Sequence, residues 1–204
     1  MNSKKKTING PDQGHSQCKA TIIAVGDSLT AGFGVTMDEA FPAQLERKLM
    51  HAGYNLHVIN AGINGEKSGE ALARVDWILS QKPDIVILQT GTNDGLRGVP
   101  TDEVGRNIDT ILRTLVEHKV SVVLAGMQNL KKRKGDYDAN FARLYPQIAK
   151  KHGAILMPLF LAGVAGQPHL NRNDGIHPTA EGYRLVAENI YPFVLQAIEK
   201  ACGD

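Results

Sequence analysis

Ile85-Val86-Ile87-Leu88 is apolar at four consecutive positions and runs directly into Gln89-Thr90-Gly91-Thr92-Asn93-Asp94. A strand sends alternate side chains to opposite faces, so an unbroken apolar run predicts burial on both faces. That is the condition of a central strand in a parallel sheet covered by helices on each side. The polar, glycine-containing stretch then reads as the loop that leaves the strand's carboxyl end. Outward from this strand the same rhythm repeats: Thr21–Val25 and Leu56–Ile59 before it, Val120–Ala125 and Ile155–Met157 after it, are apolar runs of strand length. Between and after them, apolar residues at three- and four-residue spacing predict helices: Phe41, Leu45, Leu49; Leu72, Val75, Leu79; Val104, Ile108, Ile111, Leu115; Phe141, Leu144, Ile148; and Tyr183, Val186, Ile190, Val194. Such β-α alternation predicts a three-layer α/β/α domain around a doubly wound, five-stranded parallel sheet.

The 204 residues suffice for one sizeable core and are short for two, so residues 20–204 are read as a single domain. Residues 1–19 carry almost no apolar side chain and are expected to form a disordered lead-in. The formal net charge is +2, and this lead-in alone holds Lys4, Lys5, Lys6 and Lys19 against Asp12, which leaves a nearly neutral body. Nucleic-acid binding rests on a clustered basic face, so no nucleic-acid partner is expected. No apolar run approaches the length of a membrane-spanning helix. The lead-in also lacks an apolar signal-peptide segment. The chain as written therefore reads as cytoplasmic, or as periplasmic or secreted if its N-terminus has been processed or replaced. Cys18 and Cys202 lie near opposite ends with no metal-ligand spacing. Free thiols are the expectation, with a terminus-to-terminus disulfide as the alternative.

In open parallel α/β sheets, sites form where the strands end and the next helices begin. Four polar loops fall there: Gly26-Asp27-Ser28-Leu29-Thr30, Asn60-Ala61-Gly62-Ile63-Asn64-Gly65, Gly91-Thr92-Asn93-Asp94, and Asp174-Gly175-Ile176-His177-Pro178 ahead of the last helix. A Ser at a strand-to-helix turn is ordinarily an N-cap. It becomes a nucleophile when a base removes its proton, and imidazole, with an unperturbed pKa of about 6.5, suits that task. His177 has Asp174 three residues earlier, within reach of one ring nitrogen, which would leave the other for Ser28. An Asx-type turn ahead of a helix is the competing reading of that loop. The other histidines, His15, His51, His57, His118, His152 and His169, have no such setting and read as surface or packing residues. Acyl transfer also needs donors for a developing oxyanion, and the backbone N–H groups of Ser28 and Gly65 with the Asn93 amide are the candidates. A plain turn glycine at 65 and a self-bonded turn residue at 93 remain the alternatives.

Taken together, these four blocks resemble the SGNH, or GDSL-type, hydrolases, whose blocks contribute Ser, Gly, Asn and His to one site. Here they stand as Gly26-Asp-Ser28-Leu, Gly65, Asn93 within Asn93-Asp-Gly-Leu-Arg-Gly98, and Asp174-Gly-Ile-His177-Pro, and the resemblance runs from about Thr21 to Pro192. The chain is most similar to the bacterial branch of arylesterases, lysophospholipases and acyl-CoA thioesterases. That resemblance implies a flavodoxin-like fold and an acyl-enzyme on Ser28. It also implies no metal or organic cofactor, and a small ester or thioester as substrate. Two departures stand out. The second block reads Asn64-Gly65-Glu66-Lys67 where relatives tend to Ser-Gly-Asp-Thr, and Lys131-Lys132-Arg133-Lys134 is a more basic run than relatives carry. A solvated loop is the expected role of that run, with attraction of anionic substrates as the alternative.

Three other readings compete. SGNH hydrolases also include carbohydrate acetylesterases, and a non-catalytic binding protein can share the fold. A nucleotide- or flavin-binding module has the same architecture, but the first β-α turn lacks G-x-G-x-x-G and the P-loop pattern is absent.

Overall fold

The computed structural model describes residues 19–203. Five strands, β1 (Thr21–Gly26), β2 (His57–Gly62), β3 (Ile85–Gln89), β4 (Ser121–Ala125) and β5 (Ile155–Met157), form one parallel sheet in the order β2-β1-β3-β4-β5. This is the flavodoxin-like doubly wound order, and it upholds the expected fold class. β3 sits between β1 and β4 with all five residues buried, as its uninterrupted apolar run requires.

The helices are α1 (Ser28–Ala31), α2 (Phe41–His51), α3 (Ser68–Ala73), α4 (Val75–Ser80), α5 (Thr92–Arg97), α6 (Thr101–Glu117), α7 (Tyr137–His152) and α8 (Ala180–Cys202). α2 packs with α8, while α3, α4, α6 and α7 pack with one another, so the sheet lies between two helical layers. The stripe Val104, Ile108, Ile111 and Leu115 turns α6 onto the core with no exposed surface, each side chain contributing roughly 1.5–3 kcal/mol of burial. Asp102 and Glu103 in its first turn complement the helix dipole.

Two expectations need correction. The stripe Leu72, Val75, Leu79 belongs to two helices, because Arg74 leaves helical geometry (φ −110°, ψ 14°) and directs its side chain back to Glu66 and the Ala61 carbonyl. Cys202 is disulfide-bonded and not a free thiol. Cys18, the chain's other cysteine, lies outside the described residues, as does all of the lead-in except Lys19. No helix among the described residues is long and apolar enough to cross a membrane.

Candidate active site

From β1 the chain crosses to β2 on one side, and from β3 to β4 on the other, so a crevice opens between the ends of β1 and β3. The Ser28 turn is built into it tightly. Gly26 pairs with Gln89, and a Cβ at Gly26 would fall 2.3 Å from the Gln89 carbonyl and the Thr30 hydroxyl. Asp27, not Ser28, is the N-cap of α1, accepting the Leu29 N–H at 2.9 Å. Ser28 is thereby released from capping and turns its hydroxyl to His177, with Oγ 2.9 Å from Nε2.

The His177 loop closes on itself before α8. Asp174 Oδ1 accepts the N–H groups of Ile176 and His177, both at 2.9 Å, while Oδ2 meets His177 Nδ1 at 2.8 Å. The Asx turn and the carboxylate–imidazole contact, alternatives on sequence grounds, coexist in one side chain. Partial burial by itself would raise the Asp174 carboxyl. The two backbone donors and the imidazole outweigh it and hold the acid at about 2. Thr179 then caps α8 by accepting the Gly182 N–H.

Across the crevice, Gly65 has φ +79°, a left-handed conformation that favours glycine. Neither the Ser28 nor the Gly65 N–H has a protein acceptor among the described residues. Asn93 does not bond its own backbone: Nδ2 donates to the Glu66 carbonyl at 3.0 Å, which orients the amide and leaves its second hydrogen to the crevice. The substituted second block has its own support. Glu66 is buried and bound by Arg74 through two contacts of 2.5 and 2.9 Å, and Arg74 also donates to the Ala61 carbonyl. Burial raises the Glu66 carboxyl even against this guanidinium. Ser28, Phe33, Asn64, Gly65, Thr92, Asn93, Leu96, Ile176 and His177 together line a cleft of about 210 Å³.

Several residues of this site carry no motif. Gln89, fully buried, accepts from the Thr30 hydroxyl at 2.9 Å and the Asp27 N–H at 3.3 Å. Its amide donates to Asp27 Oδ2 at 3.1 Å and Thr92 Oγ1 at 2.9 Å, joining the ends of β1 and β3. A lone amide closing an apolar strand was the available signal. Burial pushes the Asp27 carboxyl up despite these donors. Phe33 lays its ring 4.6 Å from that of His177. In the basic run, Arg133 donates to the carbonyls of Gly95 and Leu96 at the end of α5, so it is not a solvated side chain, while Lys131, Lys132 and Lys134 are exposed. Of the remaining histidines, His152 meets Asp109 at 2.8 Å and His118 the Thr114 carbonyl, and His15 lies outside the described residues.

A hydroxyl, an imidazole and a carboxylate in series at the switch point of a doubly wound sheet is the architecture of a hydrolase. The comparisons with known proteins give its family. Residues 24–185 match the GDSL-like lipase/acylhydrolase family. Esterase TesA of Pseudomonas aeruginosa is 33% identical over 84% of this chain and 86% of its own length. Thioesterase 1/protease 1/lysophospholipase L1 of Escherichia coli is 31% identical over 82% and 80%. Among solved structures, psychrotrophic esterase EstA from Pseudoalteromonas, inhibited by monoethylphosphonate, superposes with a TM-score of 0.82 at 30% identity, covering 87% of this chain and 97% of that one. The chain belongs to the GDSL-like lipase/acylhydrolase family.

Proposed function

We propose that the protein hydrolyses carboxylic esters through an acyl-enzyme on Ser28. The observation that carries this reading is the continuous series Ser28 Oγ, His177, Asp174, with contacts of 2.9 and 2.8 Å, facing a cleft whose far wall holds Gly65 and Asn93. As Oγ attacks the ester carbonyl carbon, Nε2 of neutral His177 takes its proton. Asp174 keeps Nδ1 protonated and stabilises the imidazolium. The charge that moves onto the carbonyl oxygen meets the N–H groups of Ser28 and Gly65 and the free hydrogen of Asn93. Collapse breaks the ester C–O bond, and the imidazolium returns its proton to the departing alcohol. Water, deprotonated by the same ring, then attacks the acyl-enzyme and releases the carboxylic acid with Ser28 restored.

Phe33, Leu96 and Ile176 make the cleft apolar around a polar floor, which suits aryl or short-to-medium acyl esters. Thioesters and lysophospholipids enter as further substrates through the names of the relatives. A fluorophosphonate probe should label the wild type and spare Ser28→Ala, and rates on p-nitrophenyl esters of increasing length, beside an acyl-CoA, define the acyl range. Undiminished labelling of Ser28→Ala would refute the assignment. Faster release of acetate from acetylated sugars than from aryl esters would move the protein to the carbohydrate acetylesterases.

A further inference from the structure

The Asp174–His177 loop is exposed from Arg172 to Gly175, yet its imidazole is held against a serine 149 positions away in sequence. An arginine side chain helps to span the gap. Arg172 donates its backbone N–H to the His177 carbonyl at 2.8 Å, and its guanidinium reaches across to donate to the Gly34 carbonyl. The guanidinium packs against Gly34, where an added Cβ would fall 2.5 Å from Arg172 Cζ and Nε. The residue before Gly34 is Phe33, whose N–H donates to the Ser28 carbonyl at 3.0 Å and whose ring rests on His177. The contacts form a closed circuit: Ser28 to Phe33, Phe33 and Gly34 to Arg172 and the imidazole, Arg172 to His177, and His177 to the Ser28 hydroxyl. Arg172 forms no ion pair among the described residues that would compete for it.

We propose that Arg172 is a positioning residue that clamps the Phe33–Gly34 turn against the His177 ring and so keeps the nucleophile loop and the imidazole loop in register. A guanidinium suits this task because it combines a flat apolar face for packing on backbone with in-plane donors for a carbonyl. Its kinetic consequence rests on the acyl-enzyme reading above, whereas its structural consequence does not. A misplacement of even about 1 Å between reacting groups can cost on the order of 100-fold in rate.

The test compares wild type, Arg172→Ala, Arg172→Lys and Phe33→Ala on p-nitrophenyl acetate and a longer p-nitrophenyl ester, with Tm measured on each preparation. Arg172→Ala should lower kcat by about 10- to 100-fold on both esters alike, with KM little changed. Added guanidinium chloride at non-denaturing concentration should restore part of that loss, and Arg172→Lys should fall between the two. Phe33→Ala should instead alter KM in a manner that depends on acyl length. A second readout needs no turnover: by NMR, the His177 ring proton shifted by the Phe33 ring in wild type should move in Arg172→Ala towards its position in Phe33→Ala. A kcat within twofold of wild type, a Tm loss without a kcat loss, or an unmoved ring proton would overturn the proposal. Turnover that survives Ser28→Ala would refute the acyl-enzyme, and the ring proton then decides the role of Arg172 by itself.

Discussion

At Asn93 one amide serves two masters. One hydrogen holds the Glu66 carbonyl and the other faces the cleft, so Asn93→Ala should show both losses at once. Stability should fall by about 1 kcal/mol, and kcat by on the order of 10² to 10³ with KM nearly unchanged. Thermal melting and steady-state kinetics on one preparation check this, and a destabilised variant with normal kcat would limit Asn93 to scaffolding. At Asp174 the carboxyl is held at about 2, below its unfolded value, so its contribution to the loop is complete above that unfolded value and is lost only as pH falls through about 2. Asp174 therefore stays ionised above that range, and activity should show at most one acid limb there. A kcat/KM profile from about pH 4 to 8 reads this, and a second acid limb inside that range would contradict it. Asp174→Asn should cut kcat by as much as about 10⁴-fold in a folded protein, because the amide favours the wrong tautomer.

Among the elements, β1 and β3 are joined at their carboxyl ends by a single buried amide. Gln89→Leu preserves volume but strips Asp27, Thr30 and Thr92 of a shared partner inside the protein. It should cost roughly 1–3 kcal/mol, read as a lower urea midpoint, and should slow turnover by parting the Ser28 turn from the Asn93 turn. An unshifted midpoint would mean that water replaces the amide. The same region shows what sequence patterning reaches. The inner strands β1, β3 and β4 were legible because buried parallel strands are written as largely apolar runs, the more exposed edge strands β2 and β5 through shorter apolar runs, and Ser28, Gly65, Asn93, Asp174 and His177 were legible because each occupies a short loop at a strand end or ahead of the last helix. Gln89, Arg133 and Arg172 were not, since their meaning lies in partners 37 to 138 positions distant. The break at Arg74 was hidden for another reason: the apolar stripe of a helix continues through it, and nothing in that spacing marks the residue whose side chain turns back to Glu66 eight positions earlier.

Over the whole molecule, the bond at Cys202 ends α8, the helix that begins three residues after His177. A link at the far end of a 23-residue helix should stabilise the chain without touching the chemistry. Cys202→Ser should lower stability by about 2–4 kcal/mol with kcat unchanged at temperatures well below unfolding. Loss of kcat in a folded Cys202→Ser protein would show that α8 transmits strain to the imidazole loop. The separation of Ser28 from His177 has one more effect, felt during biosynthesis. A chain leaving the ribosome folds from its N-terminal end, and it carries the serine without the imidazole until a further 149 residues have emerged. On the proposed acyl-enzyme reading, the nascent polypeptide is inert towards esters throughout that interval, and its hydrolytic capacity arises only once both residues have emerged and folded together.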